Sequence, residues 1–221
     1  MKRLAVLPIV AFAIILFRLP AFADENISSR SQDTSYCNGT FRGGYFLPED
    51  RLLKKMYGKW SNDIYFLEMG CFPIQNLLIS GSVGGYYQRG HPIGEISGEK
   101  TDAENLTLTM MPLGVGIGWR FRFTRTQPIV PFLGSGYDWV FISEDPDPGS
   151  PVNGWKQGFM SWGGFLILLD NAEREAATYM KMNYSVEHTY LELSAKYSFV
   201  GEPNGLNLRG WMYMIGLSFD F

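Results

Sequence analysis

Apolar and polar side chains alternate one by one along most of this chain. The clearest run is 209–221, where Arg209, Trp211, Tyr213, Ile215, Leu217, Phe219 and Phe221 share one face. Gly210, Met212, Met214, Gly216, Ser218 and Asp220 share the other. A period of two is the mark of a β-strand whose faces meet different surroundings. It recurs in 187–199, with Thr189, Leu191, Leu193, Ala195, Tyr197 and Phe199 against His188, Tyr190, Glu192, Ser194, Lys196 and Ser198. In 113–123, Val115, Ile117, Trp119, Phe121 and Phe123 alternate with Gly114, Gly116, Gly118, Arg120 and Arg122. In 129–143, Leu133, Tyr137, Trp139 and Phe141 alternate with Gly134, Gly136 and Asp138. With the rougher segments added, the pattern predicts eight strands, at about 40–48, 62–71, 77–88, 104–123, 129–144, 155–169, 187–200 and 208–221.

One strand changes phase. In 104–123, Leu106, Leu108 and Met110 hold even positions, and the apolar set moves to odd positions after Pro112. A β-bulge at Met111–Pro112 is expected, since it would shift the phase and seat a proline in the ladder. This strand also runs well past the ~9–11 residues that cross a bilayer. Strands three to six are therefore expected to protrude as a sheet.

Charges opposite Trp and Phe are costly in lipid but acceptable in a lumen, and an even strand count suits a closed antiparallel barrel. The expected fold is all-β: an eight-stranded antiparallel transmembrane β-barrel with a short periplasmic helix. Composition agrees. Aromatic residues make up 15% of the chain, beside 25 glycines, which suits strands facing lipid on one side and a crowded bore on the other.

The first residues set the compartment. Lys2 and Arg3 precede the apolar run Leu4–Phe17, and Ala21-Phe22-Ala23 is an A-x-A cleavage pattern. Residues 1–23 read as a signal peptide and 24–221 as one outer-membrane barrel domain. Loss of the three cations Lys2, Arg3 and Arg18 takes the net charge from −3 to −6. No block of Lys or Arg remains, so no nucleic-acid partner is expected. With both barrel ends in the periplasm of a Gram-negative cell, the outside loops are 49–61, 89–103, 145–154 and 201–207. The inside turns are 72–76, 124–128 and 170–186. The last contains Asn171–Met182, rich in helix formers. There Ala172, Ala176, Tyr179 and Met180 lie together either on the inner leaflet, in a plug, or in a solvated turn.

Turning the apolar residues outward turns Arg42, Glu68, Arg120, Arg122, Asp138, Glu192, Lys196 and Asp220 inward, four basic and four acidic. Eight strands leave a bore that side chains just fill, and buried charges must pair. The balanced set predicts a plugged lumen held by ion pairs; a gated proton or solute relay is the other reading. Cys37 and Cys71 fall on neighbouring strands at the periplasmic rim, and a disulfide is expected. A metal site is not, without a Cys/His cluster.

Candidate chemistry is sparse. The two histidines, His91 and His188, belong to opposite ends of the barrel. No helix follows Gly114–Gly118, so these glycines make no phosphate cradle. No catalytic residue and no cofactor is expected. In the first outside loop, Arg51, Lys54, Lys55 and Lys59 stand beside Leu52, Leu53, Met56 and Tyr57. This basic amphipathic turn either touches lipopolysaccharide phosphates or is a solvated loop helix.

The A-x-A leader, the aromatic-alternate strands and the terminal LSFDF (217–221) resemble the small eight-stranded outer-membrane proteins of the OmpX, OmpA-barrel and OmpW kind. PIVPFLGSGYDWVF (128–141) is similar to their fifth-strand P-x-x-G-x-G pattern. Phe219 and Phe221 resemble the assembly signal such barrels offer to the barrel-assembly machinery. The resemblance implies outer-membrane lipid as surroundings and carries over no catalytic residue. It implies surface presentation by protruding strands, as in OmpX-like proteins, or a narrow path for small apolar solutes, as in OmpW-like ones. A lipid A-modifying enzyme is the weaker reading. Such deacylases carry a His-x-Ser pair, and here Tyr190 follows His188 at that spacing.

Overall fold

The structure, a computed structural model, describes residues 37–50, 63–90, 105–124, 127–147, 152–201 and 207–221. The expected leader 1–23, the basic turn with Arg51, Lys54, Lys55 and Lys59, and His91 lie outside these residues.

The alternating segments form β1 (Cys37–Pro48), β2 (Asp63–Ile74), β3 (Leu77–Gly90), β4 (Asn105–Arg120), β5 (Ile129–Asp147), β6 (Val152–Leu168), β7 (His188–Ser198) and β8 (Gly210–Asp220). Each strand pairs antiparallel with the next, and β8 pairs with β1, so the barrel is closed. From Cys37, the circuit of paired residues passes Cys71, Ile79, Ile117, Ser135, Ser161, Tyr197 and Trp211. It returns to β1 at Leu47, ten residues above its start. With ~3.3 Å per residue and ~4.8 Å between strands, that offset tilts the strands by about 40° and sets a backbone radius of about 8 Å. Side chains alone can fill such a bore.

Strand ends differ from the expected ones where the ladder decides. β1 begins at Cys37 and β2 continues to Ile74, so a two-residue turn, Gln75–Asn76, is left at that end. β4 stops at Arg120, short of residue 123. We call the end holding Cys37 and Asp220 the lower end. β3 to β6 have 14 to 19 residues and the other strands 11 or 12. The four long strands rise beyond the rest, β5 by roughly 20 Å above the top of β7.

The bulge expected at Met111–Pro112 is absent. β4 keeps one continuous register with β5 through Met110–Ile142, Met111–Phe141, Pro112–Val140 and Leu113–Trp139. Its register with β3 is the same on both sides of Pro112, at Val83–Leu113 and Tyr86–Met110. Even positions of β4 from Leu108 to Arg120 therefore face the bore. Leu108 and Met110 are buried inside, as are Gly114, Gly116, Gly118 and Arg120 lower down. What changes at Pro112 is the character of each face, not which face is inside.

The upper bore is accordingly apolar, packed with Phe46, Ile64, Tyr86, Leu108, Met110 and Ile142 among others. A second small apolar cluster, Val130, Leu166, Leu168 and Tyr190, lies at the lower end. Between them the β4–β5 wall is lined with glycine, and the large side chains of β6 fill the space. The Trp162 indole rests on Gly116 and Gly134; a Cβ at Gly134 would stand 2.5 Å from it. Outside, exposed Phe41, Tyr65, Ile79, Val115, Ile117, Leu133, Phe165, Tyr213 and Ile215 form a continuous apolar belt.

The disulfide joins Cys37 to Cys71, directly paired on β1 and β2 with Cα atoms 3.9 Å apart. Constraining a loop of this length contributes ~2–4 kcal/mol. The single helix among the described residues, α1 (Arg174–Tyr184), lies between β6 and β7. It starts later than expected, so Ala172 sits in the preceding turn and not beside Ala176, Tyr179 and Met180. Ser185 ends it in the left-handed conformation, φ 57°. α1 buries none of its residues.

Candidate functional site

The chemistry-bearing side chains are gathered inside the barrel, because each sits on the inward parity of its strand. They form three groups. In the middle, Arg42 Nη2 of β1 meets Glu68 Oε2 of β2 at 2.7 Å. Arg42 Nη1 lies 3.3 Å from Glu192 Oε1 of β7. Arg42 and Glu192 flank Gly216 of β8 in the ladder, and any side chain there would strike Arg42. The contact with Glu192 is close enough for charge attraction but is not aligned as a hydrogen bond. Glu192 Oε1, Arg42 Nε and Ser194 Oγ have no hydrogen-bond partner.

Higher up, Lys196 Nζ donates to Asp138 at 2.9 Å and stands over the Phe66 ring at 4.8 Å. At the lower end, Arg120 Nη1 donates to both oxygens of Asp220, at 2.8 and 3.0 Å. Arg122 Nη1 reaches Asp220 Oδ2 at 3.5 Å and donates to the Tyr190 hydroxyl at 3.4 Å. Arg120 also covers the Phe72 ring, at 4.7 Å. All eight charges named from the sequence are thus brought into pairs or triads. The middle triad holds two carboxylates on one guanidinium and the lower triad two guanidiniums on one carboxylate, so their net charges are opposite.

Sequence reasoning missed the neutral rungs between the charges. The Thr40 and Ser218 hydroxyls are 2.9 Å apart, and Asn38 lies 3.2 Å from Thr40. With its amide oxygen turned toward Arg120, Asn38 accepts from Nη2 at 2.9 Å. Trp162, the largest filler of the middle bore, was also missed. Its even number, shared with Met160 and Leu166 on β6, carried the signal. The small cavity beside it has room for about one water molecule.

His188 is held by an acidic partner. Its Nδ1 lies 2.8 Å from Asp170 Oδ2, and Asp170 Oδ1 accepts from the Thr189 N–H at 2.9 Å. Together they tie the foot of α1 to β7, beside an ion pair between Lys181 and Glu187. Tyr190, next inward from His188, is buried in the lower apolar cluster. No cluster suited to a metal ion occurs among the described residues. Phe219 and Phe221 stand on the outward face of β8. Phe221 and Cys37 exchange both backbone hydrogen bonds, each 3.0 Å, across the closing seam.

Comparison with solved structures finds this fold in small outer-membrane barrels. The outer membrane protein OprG from Pseudomonas aeruginosa superposes with a TM-score of 0.59 at 13% identity, over 86% of this chain and 99% of that one. The Neisserial surface protein A superposes with a TM-score of 0.55 at 14% identity, over 85% and 98%. In sequence, no family model and no curated protein matches the chain. The chain is an eight-stranded antiparallel β-barrel with the architecture of small outer-membrane proteins.

Proposed function

We propose that this chain is a non-enzymatic integral protein of a Gram-negative outer membrane, exported by the leader 1–23, with a filled bore and a surface-interaction role. The observation that carries the reading is the combination of a closed bore and strands that outgrow the membrane. Five ion pairs and Trp162 fill the bore from its lower end through its middle, and an apolar core covers them from above. An apolar belt of exposed aromatic and aliphatic side chains is costly in water and suited to hydrocarbon. β3 to β6 would then stand above the outer leaflet and present a sheet to a surface partner. Lipopolysaccharide is the nearest such partner, through Arg51, Lys54, Lys55 and Lys59, and Phe219 and Phe221 would serve recognition by the assembly machinery.

The test has two parts. Membrane fractionation with a heat-modifiability gel should place a folded barrel in the outer membrane; a detergent-independent monomer in buffer would sink the proposal. The protein in planar bilayers should be electrically silent. One observation favours a second reading, a path for small apolar solutes. The upper bore holds a small, mainly apolar cavity lined by Phe46, Ile64, Met110, Val140 and Met212 among others, with Asp138 and Ser198 at its edge. Steady conductance, or uptake of an apolar solute lost on narrowing that cavity, would favour the second reading over the first.

A further inference from the structure

The bore contains two small cavities of opposite character. The middle one is bounded by Arg42, Glu68, Ser82 and Lys196 together with Trp162, Met160 and Met214. The upper one is bounded chiefly by apolar side chains, Met110 and Met212 among them, with Asp138 and Ser198 contributing a small polar share. We propose that the middle cavity is a water-binding site built into the barrel, and that the upper cavity is dry.

Three observations support the assignment. Arg42 is almost wholly buried, lines the middle cavity, and leaves its Nε–H without an acceptor. Buried guanidinium protons are rarely left unmet, because an unpaired donor bears the full cost of desolvation. On the inward face of β7, just outside the cavity lining, Glu192 Oε1 and Ser194 Oγ also lack partners. Glu192 Oε1 already lies 3.3 Å from another nitrogen of Arg42, so an unmet acceptor adjoins the unmet donor's guanidinium. Finally, the cavity has the room and the polar lining that a bound water needs, about one probe sphere and two to four partners. The upper cavity has about twice the room, and Asp138 and Ser198 reach its wall, but apolar groups dominate that wall, and apolar cavities stay empty. Water in the middle cavity gives Arg42 Nε an acceptor while Arg42 keeps its hold on Glu68. The bore is then divided into a hydrated polar layer and a dry cap, and solvent that enters from the lower end stops beneath the cap.

Four methionines make this measurable within one molecule. Met160 and Met214 border the middle cavity and are 6% and 5% exposed; Met110 and Met212 border the upper one and are 4% and 6% exposed. Bulk accessibility therefore does not separate the pairs. A millisecond X-ray pulse generates hydroxyl radicals from water where it stands; they add to the adjacent thioether, and dissolved oxygen takes the second electron to leave the sulfoxide. Applied to the folded, detergent-solubilised protein and read by peptide mass spectrometry, the pulse should oxidise Met160 and Met214 at least ~5-fold faster than Met110 and Met212. Met182, 80% exposed on α1, is the positive control. Equal protection of all four buried methionines would mean a dry bore and overturn the proposal. Equal oxidation of all four would mean water throughout and overturn it as well.

Discussion

The lower and upper parts of this barrel are built on the same alternation but with opposite polarity. Along lower β4, outward Val115, Ile117 and Trp119 are apolar, while inward Gly114, Gly116, Gly118 and Arg120 are small or charged. Along upper β4, outward Thr107 and Thr109 are polar, while inward Leu108 and Met110 are apolar. β5 repeats the change. Tyr137, Trp139 and Phe141 give way to Ser143 and Asp145 outside, and Asp138 gives way to Val140 and Ile142 inside. The lower part is arranged like a membrane protein, apolar outside, and the upper part like a water-soluble one, apolar inside. Neither strand slips register at the change. The medium outside decides which face must be greasy, and the proposed membrane placement accounts for the exchange by a change from hydrocarbon to water partway up the strands.

The comparison is broken most severely by attacking the charges of the lower part. Asp220 is fully buried and is the acceptor for both Arg120 and Arg122. Asp220→Ala leaves two guanidiniums unpaired in the bore and should cost about 3–5 kcal/mol. The folded fraction on a heat-modifiability gel should fall, and the urea midpoint with it. Glu192→Gln removes the surplus carboxylate of the middle triad and should cost well under half as much. Equal losses would mean that the two triads are not opposite in net charge balance.

In the upper part the sensitive groups are apolar. Leu108 is fully buried, and Leu108→Ala should cost about 2–5 kcal/mol, depending on how far its neighbours close the gap. Urea unfolding from lipid or detergent checks this. A loss below about 1 kcal/mol would mean that the upper bore is loosely filled, and would lend weight to an apolar path through it.

How much of this was legible in the sequence follows from what alternation encodes. Period two places each residue on one face or the other, so eight strands could be read, and Arg42, Glu68, Asp138 and Glu192 were assigned inward because Trp and Phe stood opposite. Cys37 and Cys71 were read as neighbours because strand order alone brings them together. Partner choice was not legible. Arg42 meets Glu192 only across Gly216, which requires the closure of β8 on β1 and the ten-residue offset of the whole circuit. The inversion on β4 was misread as a bulge at Met111–Pro112. A pattern shows that the faces exchange character, and it cannot say whether the backbone or the surrounding medium has changed.

The gentlest test of the comparison uses one face of one strand. Val115 and Thr109 both point outward from β4, six residues and roughly 15 Å of height apart. Lysine in hydrocarbon costs about 2–4 kcal/mol near the middle of a bilayer, and the cost falls toward the interface. Val115→Lys should therefore lower stability in lipid by about that amount, whereas Thr109→Lys should stay within about 0.5 kcal/mol. Measured side by side in the same bilayer, the pair isolates the medium, since strand, face and introduced charge are identical. A loss above about 1 kcal/mol at Thr109 would put acyl chains against the upper barrel. The apolar upper core would then need some cause other than water outside it.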